Sequence, residues 1–360
     1  MRTVHVVLPD IVDDPLHPSG GNTYDTKVCA ALAELGWGVH RHLLPGAWPD
    51  ADPAARAGLA AVLAELPDGA TVLLDGLVAS GTAELLVPAS SRLRVVVLVH
   101  LPLGAADTVS GAVPVRTRRD AEGAVLRRAA AVVATSDWSR EWLLEHYAIS
   151  PQRVQVAEPG SDPAPVAPGA PGGRELLSVA AVVPAKGHEE LVTALTGVRD
   201  LPWRMTCAGA VDLDPGHVRR LARRCEEEGI GDRVRFVGPQ PSGRLQHTYA
   251  ASDLLVHPSR LETYGLVVTE ALARALPVVT TAVGGVAQAL GTAPDGEVPG
   301  RLVPAGDARA LTGALRDWLG DPDLRDRWRR AALGRRATLP SWTATARTVS
   351  AVLEPAALSA

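Results

Sequence analysis

At 360 residues, 46% hydrophobic and 21% charged, the sequence reads as a globular protein too long for one ordinary core, so two domains of normal size are expected. A net charge of −4 excludes the basic excess with which a nucleic-acid binder neutralises phosphate. The 3 cysteines, Cys29, Cys207 and Cys225, lack metal-ligand spacing, and an odd number argues against a disulfide framework.

The chain enters a strand at once with MRTVHVVLP, and no apolar run approaches the length of a membrane span, so neither signal peptide nor anchor is expected and the location expected is cytoplasmic. In the first half, strand-like runs lie at 4–9, 37–43, 71–76, 94–100, 131–136 and 153–159. Helical periods at 24–36, 52–66 and 139–147 separate them. Such alternation implies a parallel sheet covered on both faces, a Rossmann-like domain. Residues 159–173, PGSDPAPVAPGAPGG, have linker composition. The pattern then restarts, with strands at 175–183, 203–210, 233–238, 254–259 and 277–282, and the chain is helical beyond Asp321. The fold expected is α/β, with an N-terminal domain over 1–163, a linker over 159–173 and a second Rossmann-like domain over 174–340. Ligands of open α/β sheets bind beyond the carboxyl ends of the strands, so two such domains place a site in the cleft where they face each other.

Several stretches offer chemistry. Ser19-Gly20-Gly21-Asn22 enters a helix, and paired glycines let backbone approach a phosphate there; a flexible turn is the plain alternative. The pair does not form G-x-G-x-x-G, which weakens the case for a dinucleotide enzyme. His100 and Asp75 stand at carboxyl ends of strands, where an imidazole or carboxylate reaches a sugar hydroxyl, although a structural histidine and an ordinary cap are the plainer readings. Lys186-Gly187 lies at a strand-to-helix turn; since Lys27 and Lys186 are the only lysines, a role in neutralising a diphosphate is favoured over a solvated surface lysine. In HPSRLETYGLVVTEALARALPVVTTAVGGV, a turn carrying Glu262 and Gly265 runs into a helix bearing Glu270, so both carboxylates can address one ligand. Asp212-Leu213-Asp214 is read as a solvated turn rather than a metal pair. The basic segment of Arg116, Arg118, Arg119, Arg127 and Arg128 is read as a solvated helix face rather than a membrane surface.

Taken together, these stretches resemble the family-4 glycosyltransferases of the GT-B fold, over nearly the whole chain. The similarity is strongest in 257–286, with Tyr264, Gly265, Pro277, Gly284 and Gly285 in register, and is echoed in ATSDWSREWL, AKGHEELV, RVRFVGPQ, GRLVPAGD and the terminal Ser341-Trp342. The resemblance implies a retaining transfer of a hexose or N-acetylhexosamine from a UDP- or GDP-sugar to a hydroxyl acceptor. No cofactor or metal is implied, and the leaving diphosphate assists. Glu262 would hold the donor sugar, with Thr263 and the backbone of Tyr264, Gly265 and Leu266 beside it; Glu270 would hold the ribose. Lys186 and the Gly20-Gly21 backbone would meet the diphosphate, His100 the transferred sugar, and Val237, Gly238, Pro239 and Gln240 the base. A last helix, 343–360, would return to the first domain.

The acceptor, a small molecule or glycan, is expected at Asn22, Tyr24, Asp25, Asp75 and the loop 101–113, with Tyr24 offering a stacking ring. Three features depart from the family pattern. Ala181 stands where a second diphosphate-binding arginine is usual, with Arg260 a candidate substitute; Ala275 stands where glycine is usual, and Gln288 where glutamate is common. A phosphorylase, a sugar-nucleotide epimerase and a nucleotide-sugar-binding protein without turnover are the competing readings.

Overall fold

The computed structural model describes residues 2–105, 115–170 and 172–354. The chain divides into two compact units. One comprises Met1–Asp14, Ser19–Gly160 and Pro340–Ala360, the other Pro15–Pro18 and Ser161–Leu339.

The first unit is built on six parallel strands, β1 (Arg2–Pro9), β2 (Trp37–Leu44), β3 (Thr71–Asp75), β4 (Arg94–Val99), β5 (Ala131–Ala134) and β6 (Val154–Val156), in the order β2-β1-β3-β4-β5-β6. Valine and leucine fill the central strands because both faces are covered; Val95 to Val99 are all buried. The helix Gly20–Glu34 crosses from β1 to β2, and Ser19 caps it, its Oγ accepting from the Asn22 amide at 3.0 Å. The helix Trp342–Leu353 belongs to this unit, held by Trp37 Nε1 donating to Ser350 Oγ at 2.9 Å and by Thr345 Oγ1 donating to the Glu158 carbonyl at 2.7 Å. The rest of the predicted 343–360 segment, from 355 on, lies outside the described residues, as does 106–113 of the predicted acceptor loop.

The second unit repeats the plan with β7 (Glu175–Val179), β8 (Arg204–Ala208), β9 (Val234–Phe236), β10 (Leu254–His257), β11 (Val278–Thr281) and β12 (Gly300–Val303), all parallel, in the order β12-β11-β10-β7-β8-β9. Strand β12 was not expected from sequence, because a four-residue GRLV run between turns carries no clear period. The expected strand 175–183 stops at Val179; residues 180–182 continue beside β8 through the Ala180 and Val182 amides, which donate to the Ala208 and Ala210 carbonyls. Three tryptophans, Trp203, Trp318 and Trp328, anchor one core cluster of this unit.

Residues 161–170 have no regular structure, as their proline content dictates, yet they are fastened to the second unit. The Ala167 amide donates to the Arg274 carbonyl at 2.9 Å, and Arg336 Nη2 donates to the Ala164 carbonyl at 2.7 Å. In the turn Asp212-Leu213-Asp214, Asp214 caps the helix Pro215–Glu227 and Asp212 pairs with His17, so the two carboxylates serve separate partners.

Candidate active site

In the second unit the candidate residues gather beyond the carboxyl ends of the strands. β7 and β10 are neighbours in the sheet, which brings the turn after the first beside the turn after the second. There Lys186 Nζ donates to Glu262 Oε1, and His257, the last residue of β10, donates to the same oxygen from Nε2 at 3.0 Å. Burial alone would raise the Glu262 pKa, but Lys186, with help from His257, holds the carboxyl far below its usual range, so the group is an anion. The turn that carries it fits because position 284 is glycine: a Cβ there would stand 1.6 Å from the Glu262 carbonyl oxygen.

Around this pair, Thr263, Tyr264 and Gly265 complete the turn into the helix Leu266–Leu272. Glu270, on that helix, accepts from the buried Tyr249 hydroxyl at 2.8 Å. Tyr249 is a partner that sequence reasoning missed, because a lone tyrosine in SGRLQHTYA gives no signal of what it faces. Arg260 pairs with Glu190 through Nε at 3.0 Å, so the candidate substitute for the missing arginine is engaged by a carboxylate. Val237 to Gln240 follow β9: the Val237 amide donates to the Cys207 carbonyl, Gly238 accepts from the Gly209 amide, and Gln240 Oε1 accepts from Thr248 Oγ1 at 2.6 Å.

In the first unit His100, just past β4, donates from Nε2 to Asp25 Oδ1 at 2.9 Å, and Asp75 Oδ2 lies 3.7 Å from the same nitrogen. Burial opposes the imidazolium, but the two carboxylates outweigh it and push His100 up to about 9. Burial, then the proximity of Asp25, pushes Asp75 up to about 7. Asp75 is also a cap, accepting from the Leu77 amide at 2.5 Å. Among the described residues these three alone bring metal-type ligand atoms within 4.8 Å of one another. A Cβ on Gly21 would meet the His100 ring at 3.2 Å, so the second glycine of the pair gives that ring its place.

Tyr24 and Asp25 of the acceptor residues need correction. Tyr24 is 1% exposed, its ring lies edge-on to His100 and Trp342, and its hydroxyl donates to the Ala157 carbonyl at 2.9 Å. It is a core residue and offers no stacking face. Asp25 is likewise buried and engaged with His100, and Asn22 Nδ2 donates to the Ile11 carbonyl at 3.1 Å.

Sequence reasoning also missed Glu122, on the helix Val115–Arg128, within the segment read as a solvated basic face. It is fully buried and accepts from Ser80 Oγ at 3.0 Å, the Leu103 amide at 3.1 Å, the Gly104 amide at 3.3 Å and the Tyr147 hydroxyl. It thereby fastens the stretch that follows His100. No helix among the described residues is long and apolar enough to cross a membrane.

Residues 167–335, which hold the Lys186–Glu262 pair, match the model of one protein family. That family is the glycosyl transferases group 1. A D-inositol 3-phosphate glycosyltransferase of Kineococcus radiotolerans is 34% identical over 252 residues, 62% of this chain and 57% of the relative. That of Frankia alni is 33% identical over 275 residues, 70% and 66% of the two chains. The matched stretch thus spans about three-fifths of the length of these curated relatives. Among solved structures, sucrose-phosphate synthase from Thermosynechococcus elongatus superposes with a TM-score of 0.81 at 22% identity, covering 98% of both chains. Anabaena HepE in complex with UDP-glucose gives 0.76 at 17% identity, over 98% of this chain and 99% of that one. The fold is GT-B, with two Rossmann-like domains.

Proposed function

We propose that this protein is a retaining glycosyltransferase that moves a hexose or N-acetylhexosamine from a UDP- or GDP-sugar to a hydroxyl acceptor without a metal. The observation that carries the reading is the ion pair of Lys186 and Glu262, inside the segment that matches the glycosyl transferases group 1. A donor sugar presents hydroxyls that an ionised, fixed carboxylate accepts. Its diphosphate needs positive potential more than it needs a base. Lys186 turns from Glu262 to the diphosphate as negative charge develops on it, and Glu262 keeps the sugar. Glu270 holds the ribose hydroxyls and the backbone of Val237–Gln240 meets the base. His100 donates to the transferred sugar, and the departing diphosphate takes the acceptor proton on the same face.

The UDP-glucose complex of HepE supports UDP as the nucleotide to try first. The names of the relatives make D-inositol 3-phosphate the first acceptor to try, and they favour transfer over phosphorolysis or epimerisation. The test is incubation with UDP- and GDP-sugars and D-inositol 3-phosphate or other small polyols in EDTA, following free nucleotide and the anomeric configuration of the product. Retention of configuration with undiminished rate in EDTA is the expected result. Inversion, or strict dependence on Mg²⁺, counts against the reading, and no release with any pair of substrates defeats it.

A further inference from the structure

His257 is 2% exposed and ends β10 with its backbone fixed, since its carbonyl accepts from Thr280 Oγ1 at 2.9 Å. Its Nε2 lies 3.0 Å from Glu262 Oε1, while its buried Nδ1 meets no hydrogen-bond partner. An ionised carboxylate only accepts, so Nε2 carries the proton that bonds it, and Nδ1 is the unpartnered ring nitrogen. Burial, then the proximity of His217, His257 and Lys186, pushes the enclosed His188 down to about 3, so this ring adds no positive charge near Glu262. Glu262 thus has two partners of different kinds, an ammonium on a long side chain and a buried ring.

We infer that His257 is the positioning residue that keeps Glu262 in its bonded orientation when Lys186 leaves it for the donor's diphosphate. This rests on the proposed donor site, but it makes its own demands. Glu262 contacts only the sugar, so loss of His257 weakens the nucleotide sugar and spares the free nucleoside diphosphate. A merely structural role would weaken both.

Calorimetric titration of His257→Ala with UDP, GDP and the corresponding sugar nucleotides reads the ratio of the two affinities. The expected change is about tenfold against the sugar nucleotide, the size of one well-placed hydrogen bond to a charge. His257→Gln, whose amide nitrogen reaches the position of Nε2, restores the ratio, and in a Glu262→Ala background His257→Ala changes it no further. An unchanged ratio, an equal loss for both ligands, or a persisting effect without Glu262 overturns the inference. The ligand-free protein supplies a second readout that does not depend on transferase activity. ¹⁵N spectra of the His257 ring are expected to show the proton on Nε2 and a shift in Glu262→Gln; a proton on Nδ1 overturns the inference even if the donor binds. If wild-type protein binds no nucleotide sugar while those spectra hold, it is the functional proposal that fails.

Discussion

Lys186 and Glu262, 76 residues apart, form a part-buried ion pair at the carboxyl ends of adjacent strands. Lys186→Ala removes the ammonium that pairs with Glu262, and Arg260, the candidate substitute, is taken by Glu190. Turnover is expected to fall more than tenfold, measured as nucleotide release; retention of more than a tenth of the wild-type rate sinks the assignment.

The same pair sets an acid limit on the second unit. Glu262 is an acid whose folded pKa is depressed, by Lys186 foremost, so its contribution to stability is present above the unfolded value of about 4.3 and is lost as pH falls further. Urea unfolding between pH 6 and 3 is expected to show a steeper loss for wild type than for Glu262→Gln.

Ala275 occupies the left-handed region, at φ 57, immediately after the helix Leu266–Leu272 and its last turn. The Leu276 amide donates to the Ala271 carbonyl and the Ala275 amide to that of Leu272, a closing turn in which glycine is the unstrained residue. Ala275→Gly is therefore expected to stabilise the protein, by about 0.5–1 kcal/mol once the added freedom of the unfolded chain is set against the relieved strain. A raised urea midpoint with unchanged slope is the check, and a lowered midpoint refutes it.

These positions show what local sequence carries. The apolar run VVVLV, the Gly-rich turns and the 257–286 pattern are local, and the parallel sheets follow from them. The meeting of Lys186 with Glu262 depends on β7 lying beside β10, an order that no periodicity encodes. Tyr24 reads as a ring beside a glycine pair, and only the distant Trp342 and Ala157 show it to be core. Glu122 hides among arginines because its four partners come from other elements.

Glu122→Ala would strand four donors at once, two of them backbone amides just after His100. Each buried donor left unpaired costs about 1–3 kcal/mol, so a loss of at least about 3 kcal/mol is expected. Glu122→Gln keeps one acceptor oxygen and should lose less. Equal stability of Glu122→Ala and wild type in urea would show that the latch carries no load.

His100, Asp25 and Asp75 give the first unit the opposite pH dependence from the Glu262 pair. Held up to about 9 by Asp25 and Asp75 against the cost of burial, His100 contributes stability that is complete below its unfolded value of 6.5 and disappears as pH rises through about 9. Asp75, an acid raised to about 7 by burial and then by Asp25, favours the protonated fold too, so its part fades earlier, as pH climbs from about 4 towards 7. Asp25→Asn removes the carboxylate that raises both groups. Unfolding free energy measured from pH 5 to 9.5 should therefore fall less steeply in Asp25→Asn than in wild type, and the His100 ring, followed by NMR, should titrate at lower pH. Since His100 as an imidazolium donates to a sugar oxygen while keeping its Nε2 bond, and Asp25→Asn makes the ring lose that charge at lower pH, transfer by Asp25→Asn should lose rate at a lower pH than transfer by wild type. Coincident pH profiles would mean that the charge on His100 plays no part in the reaction.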